Sequence, residues 1–210
     1  LNQLPLAIFG IALGIVLLPS LSKAIKSSNQ EIIHNIQNRS LEFSLLISLP
    51  SAIGLFILAE PIIYILFERG AFLQEDTFYT SKVLGYFALG LPAYIIIKVL
   101  VSCFFAREDT KTPLYISIVS VITNVVLSLL LIESMREMGI ALATAISAWL
   151  NALLLYFFLA IRNHMQFDNL LLKNSIKILI NSAILFAGVY LLNGLLFTNI
   201  SENSVLLNSI

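Results

Sequence analysis

The sequence predicts an all-α membrane protein, a polytopic bundle of transmembrane helices. Two observations carry that prediction. Of 210 residues, 59% are hydrophobic and only 11% charged, whereas a soluble domain averages about 45–50% apolar and about 25% charged. The apolar residues also gather into long runs. Charge this sparse cannot cover a water-facing surface, which excludes an ordinary cytosolic enzyme, a nucleic-acid binder and a disordered tail. Barrel strands would alternate in character over about ten residues; these runs are apolar on all sides, so the spans are helical.

A helix needs about 20 apolar residues, at 1.5 Å each, to cross a hydrocarbon core of roughly 30 Å. Six stretches qualify or nearly do: residues 4–18, 41–59 (followed after Glu60-Pro61 by a stub, 62–67), 78–105, 113–132, 139–161 and 175–197. Pro61 is expected at the first position of the stub, where its missing N–H is harmless. The chain reads as an internal piece of a longer protein. It has no initiator Met and no basic n-region before the first run, and residues 204–210 begin another apolar stretch.

Charge placement gives the orientation. One set of alternating connections, 22–40, 106–112 and 162–174, holds Lys23, Lys26, Arg39, Arg107, Lys111, Arg162 and Lys173. The other set, 68–77, 133–138 and 198–203, holds Arg69 and Arg136. The excess of basic residues marks the first set as cytoplasmic. Within the first connection, Ile25, Ile32, Ile33 and Ile36 recur at near-helical spacing, which suits either a helix lying on the inner membrane face or a plain link. Glu68-Arg69-Gly70 reads as an outer turn with a local ion pair.

No hydrolase elbow, HExxH, P-loop or dinucleotide fingerprint is present, and the single cysteine, Cys103, excludes a disulfide framework or a cysteine-built metal site. The chain therefore does not read as an enzyme, and no metal centre is expected. The informative residues are polar ones at membrane depth. Lys98 lies seven residues before Phe105, about 10 Å below the inner interface. It reads either as a snorkelling lysine or as a cavity cation that meets an anionic substrate, with Pro92 kinking the helix and opening backbone groups beside it. Asn124 and Ser128, one turn apart, and Thr144 on the following helix fall at similar depth. They suit interhelical hydrogen bonding or part of a small-cation site built from oxygen ligands. Ala141, Ala145, Ala148 and Ala152, and the small residues Ala7, Gly10 and Gly14, mark close helix contacts.

The order of motifs carries a resemblance. The first span reads Leu4-Pro5, Gly10-Ile11-Ala12 and Leu18-Pro19-Ser20-Leu21-Ser22. Next come Leu49-Pro50-Ser51 and Leu66-Phe67-Glu68-Arg69-Gly70-Ala71-Phe72. The third span ends Phe104-Phe105-Ala106-Arg107-Glu108-Asp109-Thr110-Lys111-Thr112-Pro113. Up to about residue 161 the chain resembles the lipid II flippase family MurJ, also called MviN; beyond that the likeness rests on hydropathy. The resemblance implies a multi-pass bacterial inner-membrane transporter of the MOP/MATE-like superfamily, with fourteen helices in two lobes. Residues 1–161 would supply about the eighth to twelfth helices of the C-terminal lobe. Residues 162–210 would supply a further helix and the start of the last one, in a lipid-groove region.

The implied activity is flipping undecaprenyl-diphosphate-linked peptidoglycan precursor from the inner to the outer leaflet by alternating access, with no bond broken. The partners would be that precursor, membrane lipids and the N-terminal lobe of the same chain. Lys98 is the candidate substrate contact, with Asn2 and Gln3 beside the place of a family cavity arginine that would precede Leu1. No cofactor is implied except a sodium ion. Some members hold one partly with an Asn and an Asp one turn apart and a Thr on the next helix. Asn124 and Thr144 match, and Ser128 stands in the place of the Asp, which removes the charge. A related exporter on the same scaffold (a drug/cation antiporter or an O-unit flippase) and a non-transporting scaffold are the competing readings.

Overall fold

In a computed structural model of the chain, residue 10 and residues 12–207 are described, with side chains described from residue 14 to residue 191. Asn2 and Gln3, and residues 4–9 and 11 of the 4–18 run, Ala7 among them, lie outside the described residues. The described backbone is helical: α1 Ala12–Lys26, α2 Gln30–Ile57, α3 Ala59–Phe67, α4 Gln74–Phe105, α5 Lys111–Met135, α6 Glu137–Ile161 and α7 Asn169–Leu207. Five of these helices, α2 and α4 to α7, are long and apolar enough to cross a membrane. The chain is thus a polytopic helical membrane protein.

The surface-helix reading of the first connection is corrected. Residues 30–57 form one helix of 28 residues, about 42 Å long, so it outreaches the hydrocarbon core without a break. The connection shrinks to residues 27–29, where Ser28 takes φ +55° and the Asn29 side chain caps α2 by accepting from the Ile32 N–H at 3.2 Å. Ile33, Gln37, Asn38 and Leu41 are buried on its first turns, which a helix lying on a membrane surface would not allow.

The stub also shifts. α3 begins at Ala59, so Pro61 is its third residue; the first-turn N–H groups have no intrahelical partner, and proline is tolerated there too. The Glu68–Arg69 ion pair does not form. Arg69 donates to the Ile65 carbonyl at 3.0 Å, and Glu68 accepts from the Thr77 hydroxyl at 2.6 Å. At the other end of the chain, residues 198–203 are helical rather than a connection, because α7 continues to Leu207.

α4 is the axis of the bundle, with α1, α2, α3 and α6 packed around it. Its middle is enclosed: Ala88, Leu91, Ala93, Ile95 and Val99 are fully buried. Ala93 meets Ala148 and Ala152 of α6. Small residues let backbones approach where lipid supplies no hydrophobic drive. The helix runs unbroken through a buried Pro92, and the nearby Leu89 carbonyl accepts the Trp149 indole N–H of α6 at 3.0 Å. α5 packs mainly on α6, and α7 mainly on α2.

Candidate functional site

The α5–α6 hairpin is closed by backbone geometry. Arg136 takes φ +50° between the two helices. A Cβ on Gly139 would lie 2.7 Å from the Leu131 carbonyl oxygen, so only glycine permits this approach. Above that turn, the Asn124 amide N–H₂ donates to the Thr144 hydroxyl at 3.2 Å and to the Ser147 hydroxyl at 3.1 Å. Its oxygen accepts from Ser128 at 3.1 Å. Thr144 donates in turn to the Ile140 carbonyl at 2.8 Å, and Ser147 to the Thr144 carbonyl at 3.0 Å.

The three residues named from the sequence thus share one network. Ser147, three residues beyond Thr144 and buried, is a fourth member that sequence reasoning missed; the signal was its i+3 spacing. Each hydroxyl hydrogen in the network is spent on a carbonyl or on the Asn124 oxygen. The amide nitrogen, not its oxygen, faces Thr144 and Ser147. The arrangement is neutral and clasps two helices.

Lys98 lies apart from this network. Its side chain is exposed, while Val99 and Leu100 beside it are buried. Among the described residues it makes no ion pair and no side-chain hydrogen bond; only its carbonyl is engaged, by the Ser102 hydroxyl at 2.8 Å. Asn2 and Gln3 lie outside the described residues, so the structure does not relate them to Lys98.

The densest polar geometry sits at the basic end of the bundle, where the sequence had supplied only a count of charges. Alternate residues of the 162–168 connection reach the start of α5, the end of α4 and, twice, α2. Arg162 donates to Asp109 at 2.5 Å and to the Thr112 hydroxyl at 3.0 Å. The His164 carbonyl accepts from Arg107 at 3.1 Å. The Gln166 carbonyl accepts from Asn38 at 2.9 Å. Asp168 accepts from Arg39 at 2.5 Å. Glu42 joins Arg39 and Asn174.

The helices end here in matching ways. Glu108 and Asn163 adopt φ +61° and +54°. The next N–H in each case closes back five residues, Asp109 to Phe104 at 3.1 Å and His164 to Leu159 at 2.9 Å, as in a Schellman stop. Asp109 then starts α5 by accepting from the Thr112 N–H at 3.0 Å.

These contacts set the local protonation. Partial burial raises the Asp109 carboxyl, but the Thr112 N–H and hydroxyl and the Arg162 guanidinium outweigh it, leaving the group at about 2. Asp168 is likewise held below the usual carboxylate range: burial opposes ionisation, and the Leu171 N–H and Arg39 overcome it. His164 is pushed down, first by burial and then by the positive charges of Arg107 and Arg162.

Comparison with known proteins shows what this bundle is similar to. A family model described as lipid II flippase MurJ matches residues 1–210. The chain belongs to the lipid II flippase MurJ family. It is 44% identical over 183 residues to the probable lipid II flippase MurJ of Rhizobium tropici, which covers 87% of this chain and 34% of the relative. It is 44% identical over 188 residues to that of Rhizobium meliloti, covering 90% and 35%. It is 46% identical over 154 residues to that of Rickettsia prowazekii, covering 73% and 30%. The chain thus spans about a third of the length of the curated relatives it matches.

Two motifs of this MurJ-family chain gain a physical account. In the Arg107 to Pro113 run, Arg107 staples the end of α4 to the 162–168 connection through the Cys103 and His164 carbonyls. Asp109 and Thr112 cap α5 and receive Arg162. In the Glu68-Arg69-Gly70 turn, Gly70 takes φ +61°, and Glu68 is held by Thr77 of α4.

Proposed function

We propose that this chain works as part of a transporter that moves lipid II, the undecaprenyl-diphosphate-linked peptidoglycan precursor, from the inner to the outer leaflet of the bacterial inner membrane. The observation that carries this reading is the family match, which runs along the whole chain and accompanies a membrane-spanning helical bundle. The activity needs no covalent step: two lobes exchange access around a wet cavity, and positive charge in that cavity offsets the diphosphate. Lys98, exposed within the α4 span, is a cation this chain offers to that cavity. The rest of the same polypeptide supplies the N-terminal lobe and the remaining charge. Residues 1–161 belong to the body of the C-terminal lobe, and residues 162–210 to its flanking lipid-groove region, where α7 packs on α2. The basic end of the bundle faces the cytoplasm.

The test is complementation of flippase depletion by the full-length gene that carries this chain. The native gene should restore growth and lipid II export. Lys98→Ala should abolish both at an unchanged membrane level, and Lys98→Arg should retain part. Failure of the native gene to complement would remove the flippase reading and leave a related exporter or a scaffold. Full activity of Lys98→Ala would reduce Lys98 to a snorkelling residue.

A further inference from the structure

At the end of the bundle opposite the basic cluster, α2 stops at Ile57 and α3 starts at Ala59, so the chain turns before reaching the level of the α4 start. The Phe56 ring lies 3.6 Å from where a Cβ on Gly85 would be. That contact fixes the turn about eleven residues, roughly 16 Å, along α4 from Gln74. The notch between the three helices holds a cavity of about 260 Å³, lined by Phe56, Glu60, Ser81, Lys82, Gly85 and Tyr86 among others. It is several times the share of one water molecule, about 30 Å³.

Glu60 and Lys82 face this cavity together and carry opposite charges. No ion pair joins them, and among the described residues neither side chain makes a hydrogen bond. Lys82 has only the Phe78 ring, with its Nζ 5.4 Å from the ring centroid. Lys82 lies about 12 Å along α4 from its start, inside a membrane-spanning helix. That is a few ångströms inside a core of roughly 30 Å, where charged groups ordinarily pair with each other or line a wet cavity; Glu60 and Lys82 are both exposed at the mouth of this one. Two opposite charges that line one cavity without neutralising each other are arranged for a ligand that carries both signs. Further along α3, Tyr64, Ile65, Leu66 and Phe67 are exposed, so the end of that helix offers apolar surface to acyl chains.

We propose that this cavity binds the headgroup of a phospholipid bearing a primary amine, with the ammonium at Glu60 and the phosphodiester at Lys82. A primary ammonium has the N–H groups needed for charge-assisted hydrogen bonds to a carboxylate; a quaternary one lacks them. The exposed apolar surface of α3 and the place of the cavity at the edge of the hydrocarbon core favour a lipid over a soluble zwitterion. This inference stands independently of the transport reading, since its readout is lipid retention.

The experiment is native mass spectrometry of the full-length protein released from mixed phosphatidylethanolamine, phosphatidylcholine and phosphatidylglycerol. Phosphatidylethanolamine should be retained about tenfold over the other two. Glu60→Gln and Lys82→Met should each reduce it to the phosphatidylcholine level, and the charge swap Glu60→Lys with Lys82→Glu should restore the preference. Variants are compared only at matched melting temperature, and the swap guards against a simple loss of packing. Equal retention of the three lipids, or unchanged retention in both single variants, would overturn the proposal. Displacement of the lipid by millimolar O-phosphoethanolamine would overturn the lipid assignment in favour of a soluble zwitterion.

Discussion

Asp168 serves two elements at once: one oxygen receives the Arg39 guanidinium of α2 at 2.5 Å, and the other accepts the Leu171 N–H at 2.6 Å and so caps α7. Asp109 repeats the device, receiving Arg162 from the end of α6 while capping α5. Each carboxylate ties the start of one helix to a neighbouring one, so losing a single group frees two elements.

Asp168→Asn keeps a capping oxygen and loses the ion pair, whereas Asp168→Ala loses both. A capping residue is worth about 1 kcal/mol and a solvent-accessible ion pair about 0.2–1 kcal/mol. Asp168→Asn should therefore cost less than about 1 kcal/mol and Asp168→Ala about 1–2 kcal/mol. Thermal unfolding of the full-length protein in detergent measures both. Equal losses would show that the cap contributes nothing.

Acid should weaken the basic end in two stages. His164 has a lowered folded value, so its contribution is complete above the ordinary value of about 6.5 and falls as pH drops below it, where the unfolded chain takes up the proton more readily. Asp109, at about 2, and Asp168, also lowered, contribute fully above about 3.9 and lose that contribution as pH falls through their folded values. Melting temperature should decline between pH 7 and pH 5, and again below pH 4. His164→Gln should flatten the first decline and Asp109→Asn part of the second.

The Asn124 network joins α5 to α6 through two interhelical hydrogen bonds, each worth roughly 0.6 kcal/mol in a membrane. Asn124→Ala should cost about 1 kcal/mol in stability. A buried sodium ion needs compensating charge, and these four residues supply none. Transport by the full-length protein should therefore depend weakly on sodium when potassium holds ionic strength fixed, and Ser128→Asp should increase the dependence. Strong sodium dependence lost on Asn124→Ala or Thr144→Ala would make the network a working ion site.

Cysteines placed at Asn29 and Thr110, both exposed at the basic end, should resist an impermeant thiol reagent in intact cells. One at Gln74, at the opposite end, should react. Cys103 is buried and adds no background from this chain. The reverse pattern would invert the orientation drawn from charge.

Composition alone determined that this chain spans a membrane, because 59% hydrophobic and 11% charged residues leave no soluble alternative. Period and spacing carried Asn124, Ser128 and Thr144 to a common level, since helical rise is constant and depth can be counted along each span. Tertiary structure decided what counting cannot reach. Whether residues 25–36 lay on the membrane or entered the bundle depended on which neighbours bury Ile33 and Gln37. Which donor meets the Leu89 carbonyl depended on Trp149, 60 positions away in sequence. The pairing of Arg39 with Asp168, and of Arg162 with Asp109, was hidden among charges that the sequence reveals only as a sum at one end. Hydrophobicity acts residue by residue and is written locally, whereas an ion pair needs two elements brought within a few ångströms, which only the packed bundle provides.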